Sequence, residues 1–370
     1  MQRRRRWYLV PVTLAAIASL VAVGFASAGS SGQKATKVTL QLKWVTQAQF
    51  AGFYAAKAKG FYSQAGLDVN LKVGGPDISP EQVVAGKQAE FGVDWLPSLL
   101  AQRDTGNDLV DIAQVFPRSG TTEVTWKSSG IDSFKKMKGK KFGVWILGNE
   151  FEQEAALVKF GLNPEKDVTI VKQNFDVVPF LKHEIDATSA MTYNELAQIL
   201  EAKNPQTGKL YTLSDLNVFK MSKLGTGMLQ DLIFVKGSWI KDKKHQATAV
   251  KFVEASLKGW IYCRDHWKDC VNITLRNGTA LPRGHQTWQM NEINALIWPA
   301  PKGIGIMDPA AFARSAKIVK TYGKLSTLPG HESYRTDLAA AADKTLKAAG
   351  IDIYGKNWKK AAVTVTPGGK

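Results

Sequence analysis

The 24 residues GFYAAKAKGFYSQAGLDVNLKVGG, 52–75, change hydrophobic period within one short stretch, and that change restricts the fold more than any other feature of the chain. Ala55, Ala56, Lys57, Ala58 and Lys59 are good helix formers. Gly60 interrupts them, residues 61–65 resume a short turn, and Gly66 supplies a left-handed cap. From Leu67 the apolar residues recur at every second position, at Leu67, Val69, Leu71 and Val73, the pattern of a strand with one buried face. The alternating KVTLQLKW that ends at Trp44 is another strand, so the whole is a βαβ unit. The two GFY copies fall in different places within it and are too close together to be structural repeats.

The same grammar continues downstream. Ser79 caps and Pro80 opens a helix in SPEQVVAGK, AEFGVDW is a third short strand, LPSLLAQRDTG is a helix starting at Pro97, and DIAQVF is a fourth strand. Strands alternating with helices specify a mostly parallel sheet covered on both faces. A second series, running from KKFGVWI through EFEQEAALVKFG, DVTIVKQ, VVPFLKHE and ATSAMT to YNELAQILE, makes a smaller α/β lobe of its own. GTGMLQDLIFVKGSWI then reads as strand and turn, the remainder is helical, and AAVTVTPGGK is a tail or a short edge strand. A length of 370 residues suits two such domains.

The net charge of +17 is unevenly spread. Arg3, Arg4, Arg5 and Arg6 form a basic n-region, 8–25 an apolar run, and Ala26-Ser27-Ala28 a small-residue cleavage site, so 1–28 is expected to be a secretory signal peptide; a retained single-span anchor is the alternative. No cysteine stands at the cleavage region, so a lipid anchor of the usual bacterial kind is not expected. Loss of the signal leaves a charge of about +13, with the lysines scattered and their densest run, Lys135 to Lys141, at a solvated turn; nucleic acid is not an expected partner. The two cysteines, Cys263 and Cys270 in CRDHWKDC, lack the ligand number of a metal site and the CxxC spacing of redox chemistry. In an exported chain they are expected to pair, provided the helix around them stops or bends, because an unbroken helix rises about 10 Å over that offset.

The sequence carries no GxSxG elbow, Walker loop, HExxH or GxGxxG. Parallel sheets leave ligand sites outside the carboxyl ends of their strands, and two such edges facing across a hinge make a clamshell that closes on a solute. LKWVTQAQFAGFYAAKAKGFYSQAGLDVNL, with GKQAEFGVDW, GTGMLQDLIFVKGSWI and HQTWQMNEINALIWP, resembles the SsuA/THI5-like (NMT1/THI5-like) substrate-binding proteins of bacterial ABC importers over roughly 38–340. The resemblance implies an α/β fold of the type II periplasmic-binding-protein kind: two lobes joined by two crossover strands. It places lobe one at 38–126 plus 235–360, lobe two at 127–234, and a tail at 361–370. It also implies a monomeric receptor in the periplasm or extracytoplasmic space, with a small-molecule solute and ABC permease subunits as partners. No cofactor, metal or catalytic residue is expected.

Within that frame the strand ends nominate the pocket. Trp44, at the end of the first strand, offers an indole for a planar ligand, and Gln47 and Gln49 follow with amide groups. Relatives that bind pyrimidines resemble W-x-x-N-x-x-H here; the Asn position is Gln47 and the His position Phe50, a departure that suggests a more apolar or larger aromatic ligand. Asp94 and Trp95 end the third strand, where Asp94 either accepts from a ligand or caps the next helix. In lobe two, Gly148, Asn149 and Glu150 join a strand to a helix whose free amides suit an oxygen or anion, although Glu150 and Glu152 oppose a strongly anionic solute. Tyr193 and Asn194 occupy the corresponding edge after ATSAMT, with Glu195 beside them, and Asp231 lies in the return crossover, where it holds either ligand or hinge, as Gln230 does. The expected solute is a planar nitrogen heterocycle, pyrimidine- or flavin-like. A sulfonate, with Arg118 as its nearest cation, is the alternative, and a pyrimidine-synthase-like enzyme is disfavoured by the cysteine placement and by Phe50.

Overall fold

The computed structural model describes residues 34–323 and 325–370, so the expected export signal at 1–28 lies outside the described residues. From Ala35 onward the chain is one contiguous unit. Its strands are β1 (Thr36–Gln41), β2 (Leu67–Lys72), β3 (Phe91–Asp94), β4 (Leu109–Phe116), β5 (Thr121–Trp126), β6 (Lys141–Val144), β7 (Thr169–Lys172), β8 (Ala187–Met191), β9 (Leu216–Lys220) and β10 (Gln230–Lys236). They form two five-stranded sheets, β2-β1-β3-β10-β4 and β7-β6-β8-β5-β9. In the first, β1 runs parallel to β2 and β3 while β10 is antiparallel to β3 and β4. The second repeats this plan, with β6 parallel to β7 and β8, and β5 antiparallel to β8 and β9. Each sheet therefore holds four parallel strands and, inserted between the last two of them, one antiparallel strand, the one that has just crossed from the other lobe. This is the two-lobed clamshell that the sequence implies.

The lobe limits differ from the expected ones. Thr121–Trp126 belongs to the second sheet, Met221–Leu224 packs in the same lobe, and β10 starts at Gln230 in the first sheet, so the chain changes lobe at 117–120 and 225–229 rather than at 126/127 and 234/235. The cause is β5, TTEVTW, whose six residues are all buried but half of which are threonine. A strand buried on both faces shows no alternation, and these threonines satisfy themselves internally: the Thr122 hydroxyl donates to Ala190 O at 2.6 Å and the Thr125 hydroxyl to Ile131 O at 2.7 Å.

The GFY unit forms as read: a helix at Ala51–Ala58, Gly60 at φ 72°, a turn of helix at Phe61–Gln64, Gly66 at φ 75°, then β2. Gly52 has a further reason to be glycine. A Cβ there would run into the Trp260 indole, and one at Gly259 would meet the Gly52 carbonyl, so helix Ala51–Ala58 and the long helix Lys243–Asp265 touch backbone to backbone. Phe53, Tyr54 and Tyr62 are buried in the same core.

The long helix stops at His266, whose φ of −128° and ψ of 46° break it before Trp267–Asn277 begins. That break brings the Cα atoms of Cys263 and Cys270 to 5.4 Å, and the two are disulfide-bonded. The loop is short, so reducing the bond is expected to remove about 2 kcal/mol and lower the melting temperature by roughly 5 °C. Melts with and without reductant check this; an unchanged melt with both thiols shown to be free would contradict it. Trp298 is buried in the interior, with the Arg264 guanidinium 4.7 Å from its ring centroid. The tail is not a strand. Ala361 exchanges two 2.9 Å hydrogen bonds with the Asn291 side chain on helix Arg283–Ile297 of lobe one. Farther along, Val365 packs on the apolar cluster of lobe two, and Gly369 lies against His285 and Glu201.

Candidate ligand cleft

The two crossovers are clasped by one buried carboxylate. Glu152, in the first turn of helix Phe151–Lys159, accepts from the Ser119 hydroxyl at 2.5 Å, from Met228 N at 3.0 Å and from the Gln230 amide at 3.1 Å. Gln230 also donates to the Thr121 hydroxyl at 2.6 Å and accepts from Gly120 N at 2.8 Å, so Gln230 serves the hinge. Farther out, contacts span the cleft directly. The Ser98 hydroxyl donates to Gly148 O at 2.6 Å, Trp288 Nε1 donates to Thr192 O at 3.0 Å, and the Trp44 and Trp145 rings meet edge to face with centroids 6.4 Å apart. His285 of lobe one sits between two lobe-two side chains, Nδ1 2.9 Å from Glu201 Oε2 and Nε2 2.9 Å from Asn194 Oδ1. Asn194 donates its own amide to Glu195 at 2.5 Å, which orients its oxygen toward the imidazole.

Between these contacts lies a narrow cavity of about 20 Å³, walled by tryptophans 44, 95 and 145, Tyr193 and the amide side chains of Gln47, Gln49, Asn149 and Asn194. Lys43, Met191 and Glu195 complete its lining. The Lys43 ammonium lies 4.4 Å from the Trp95 ring centroid and pairs with Asp94 beneath it, both side chains buried. Trp95 Nε1 donates to Asp231 at 2.8 Å, and Gln49 Nε2 donates to the same carboxylate at 2.9 and 3.1 Å. Asp231 holds a φ of 21°, a conformation that non-glycine residues rarely keep without tertiary support. Carboxylates outnumber cations here. Burial pushes Asp231 and Glu195 up to about 7, and Glu81, which lies close enough to Asp94 to feel its charge, to about 8. The Tyr193 hydroxyl is raised well above its ordinary value, first by burial and then by the charges of Asp231, Glu195 and Glu152.

Of the residues nominated from sequence, Trp44, Gln47, Gln49, Trp95, Asn149, Tyr193 and Asn194 line this cavity. Trp44 does so from a loop, since β1 stops at Gln41. Four others do not form its walls. Asp94 is occupied by Lys43 and by Trp95 N, and Asp231 stands behind Trp95 and Gln49. Gly148 is spent on the Ser98 contact, where its φ of 93° and the nearby hydroxyl leave no place for a Cβ. Glu150 accepts from Gly148 N at 2.9 Å, so the amide expected to take a ligand anion already holds the protein's own carboxylate. Phe50 is buried in the core away from the cavity, which removes the basis for reading a more apolar ligand from it.

Sequence reasoning passed over Trp145, although it follows the carboxyl end of β6 as Trp95 follows β3. It also passed over Lys43, which carried no signal, because a lone lysine is ordinarily solvated. Among the described residues no group of three or more His, Cys, Asp or Glu side chains is placed to hold a metal.

The profile described as NMT1/THI5 like matches residues 47–269, more than half of the chain. The chain belongs to the NMT1/THI5-like family. This NMT1/THI5-like protein is 28% identical over 242 residues to a putative thiamine biosynthesis protein of Haemophilus influenzae, covering 64% of this chain and 73% of that one. It is 23% identical over 244 residues to a 4-amino-5-hydroxymethyl-2-methylpyrimidine phosphate synthase of Candida albicans, covering 64% and 71%. It is 22% identical over 305 residues to the riboflavin-binding protein RibY of Chloroflexus aurantiacus, covering 78% and 82%. Among solved structures it resembles the nitrate-binding protein NrtA of Synechocystis, with TM-score 0.60, 13% identity, and coverage of 87% and 92%. It likewise resembles the alkanesulfonate-binding protein SsuA of Xanthomonas axonopodis pv. citri, with TM-score 0.57, 14% identity, and coverage of 83% and 98%. At those identities the NMT1/THI5-like chain shares their fold, that of periplasmic binding proteins.

Proposed function

We propose that this protein is an extracytoplasmic solute receptor of an ABC importer and that its solute is a planar nitrogen heterocycle bearing hydrogen-bond donors or a positive charge. The observation that carries this reading is the composition of the cleft: three tryptophans, a tyrosine and four amide side chains line one space, with the carboxylates of Asp94 and Asp231 buried behind its walls. Indole faces accept a flat ring, and buried acceptors reward a ligand that brings N–H groups to them. The cavity of about 20 Å³ holds about one water, so a ring enters as the lobes part about the two crossovers. The names of the relatives, which concern pyrimidine and riboflavin, agree with this class.

The sulfonate alternative loses its nominated cation, and the ammonium that does line the cavity, Lys43, is paired with Asp94. Arg118 donates to the carbonyls of Leu296, Ile297 and Pro299 at 3.0, 3.2 and 2.6 Å and does not line the cavity. The synthase alternative rests on relatives' names, and here Cys263 and Cys270 are consumed by their disulfide. Native mass spectrometry of protein purified without denaturant tests the proposal, because a closed clamshell retains its solute. A retained mass matching a flavin, pyrimidine or comparable nitrogen ring is the expected result. A retained sulfonate, or conversion of the retained solute on incubation, would overturn it.

A further inference from the structure

Beside the inner cavity lies a second and larger space of about 410 Å³, also between the lobes. The two meet at Trp44, Gln47 and Asn194, which belong to the walls of each. Leu281 and Pro282 from lobe one face this outer chamber, Phe175 and Ala202 come to it from lobe two, and Gly368 of the tail completes its rim. Phe175 is 54% exposed, in the loop between β7 and helix Val178–Leu181, so its ring is not part of a core.

The polar side chains around this chamber are already engaged with the protein. The Thr46 hydroxyl accepts from Tyr54 at 3.1 Å, Gln286 Oε1 accepts from Ala48 N at 2.7 Å, Gln198 Nε2 donates to Phe175 O at 3.2 Å, and Glu201 is held by His285. What remains for a ligand is mostly carbon surface. The inner cavity is the reverse: small, aromatic and lined with amide side chains, one carboxylate and one ammonium. One wall shared by a small, aromatic and amide-lined end and a broad apolar chamber suits a solute that is itself built in two parts.

We infer that the solute is elongated, with its nitrogen ring in the inner cavity and an uncharged apolar or aromatic second portion in the outer chamber against Phe175, Leu281 and Pro282. This rests on the heterocycle reading and extends it, because it excludes a single small ring as the full ligand. Phe175 is then a specificity-determining residue that leaves recognition of the ring itself untouched. A charged second portion is disfavoured, since the chamber's one carboxylate and its histidine already neutralise each other's hydrogen-bonding needs.

The test is isothermal titration with two synthetic probes, 4-amino-2,5-dimethylpyrimidine and 4-amino-5-benzyl-2-methylpyrimidine, on the wild-type protein and on Phe175→Ala. The benzyl probe is expected to bind the wild type about tenfold more tightly, and Phe175→Ala to remove about fivefold of that advantage while leaving the methyl probe unchanged. Because Phe175 is exposed, the variant should melt with the wild type, which separates lost contact from lost folding. Equal affinity for the two probes, or equal weakening of both by Phe175→Ala, would overturn the two-part solute while leaving the ring site standing. Binding of neither probe would overturn the heterocycle reading, and this inference with it.

Discussion

Replacing Trp44 with alanine is expected to weaken solute binding by the folded protein about ten- to a hundredfold. The indole is only 7% exposed, forms a wall of both interlobe spaces, and meets Trp145 edge to face across the cleft. Its removal takes away a stacking surface and, with it, one of the contacts made when the lobes close. Because Trp44 is also part of the lobe-one core, the melting temperature should fall in parallel. The two effects separate when affinity is titrated on the folded fraction, using the solute identified in the purified protein. A purely structural Trp44 would lower the melt and leave that affinity unchanged, and this outcome would remove the aromatic-ligand reading.

Stability should be greatest near pH 5 and decline toward pH 8, by at least roughly 5 °C in melting temperature. Six carboxyl groups drive the expectation: burial raises Glu152, Glu195, Asp231 and Asp343 to about 7, and Glu81 and Asp111 to about 8. An acid whose folded pKa lies above its unfolded value holds its proton more tightly in the native state. Its contribution is complete below the unfolded pKa, near 4, and is lost as pH rises through 7 and 8. Carboxylates held below the ordinary range, such as Asp132 on Lys136 and Asp269 on Lys59, act in the opposite sense, but they are solvent-accessible and contribute little. They set the acid-side limit, below about pH 4. Melts at constant ionic strength across this range decide the matter, and a flat or rising profile between pH 5 and 8 would contradict the assignment of these groups as buried acids.

Lobe one was readable because its signals are local. The change of period around Gly60 and Gly66, and Ser79 with Pro80 at a helix start, each fall within a few residues, and the structure keeps all of them. β5 and β9 were missed for a physical reason. The first is threonine-rich and wholly buried, and the second, LNVFK, is too short and only partly buried to display a pattern. Within the site, Trp95 and Tyr193 follow from the rule that ligands meet the carboxyl ends of strands, and the same rule applied once more would have found Trp145. Lys43 and Glu152 obey no such rule. Each is buried because of partners distant in sequence, Asp94 for the first and the two crossovers for the second. A charged residue's burial depends on the company that the fold assembles, which composition and spacing do not encode.

The tail carries a practical consequence. Its turn at Pro367–Gly369 rests on the Glu201 and His285 pair, and Gly368 borders the outer chamber. A group attached in this turn would therefore lie beside the outer chamber, which the proposed function makes the entrance for a solute. A purification handle placed there would compete with cargo, whereas an environment-sensitive dye at the same point would turn the chain's last residues into an optical gauge of how far the jaws have opened.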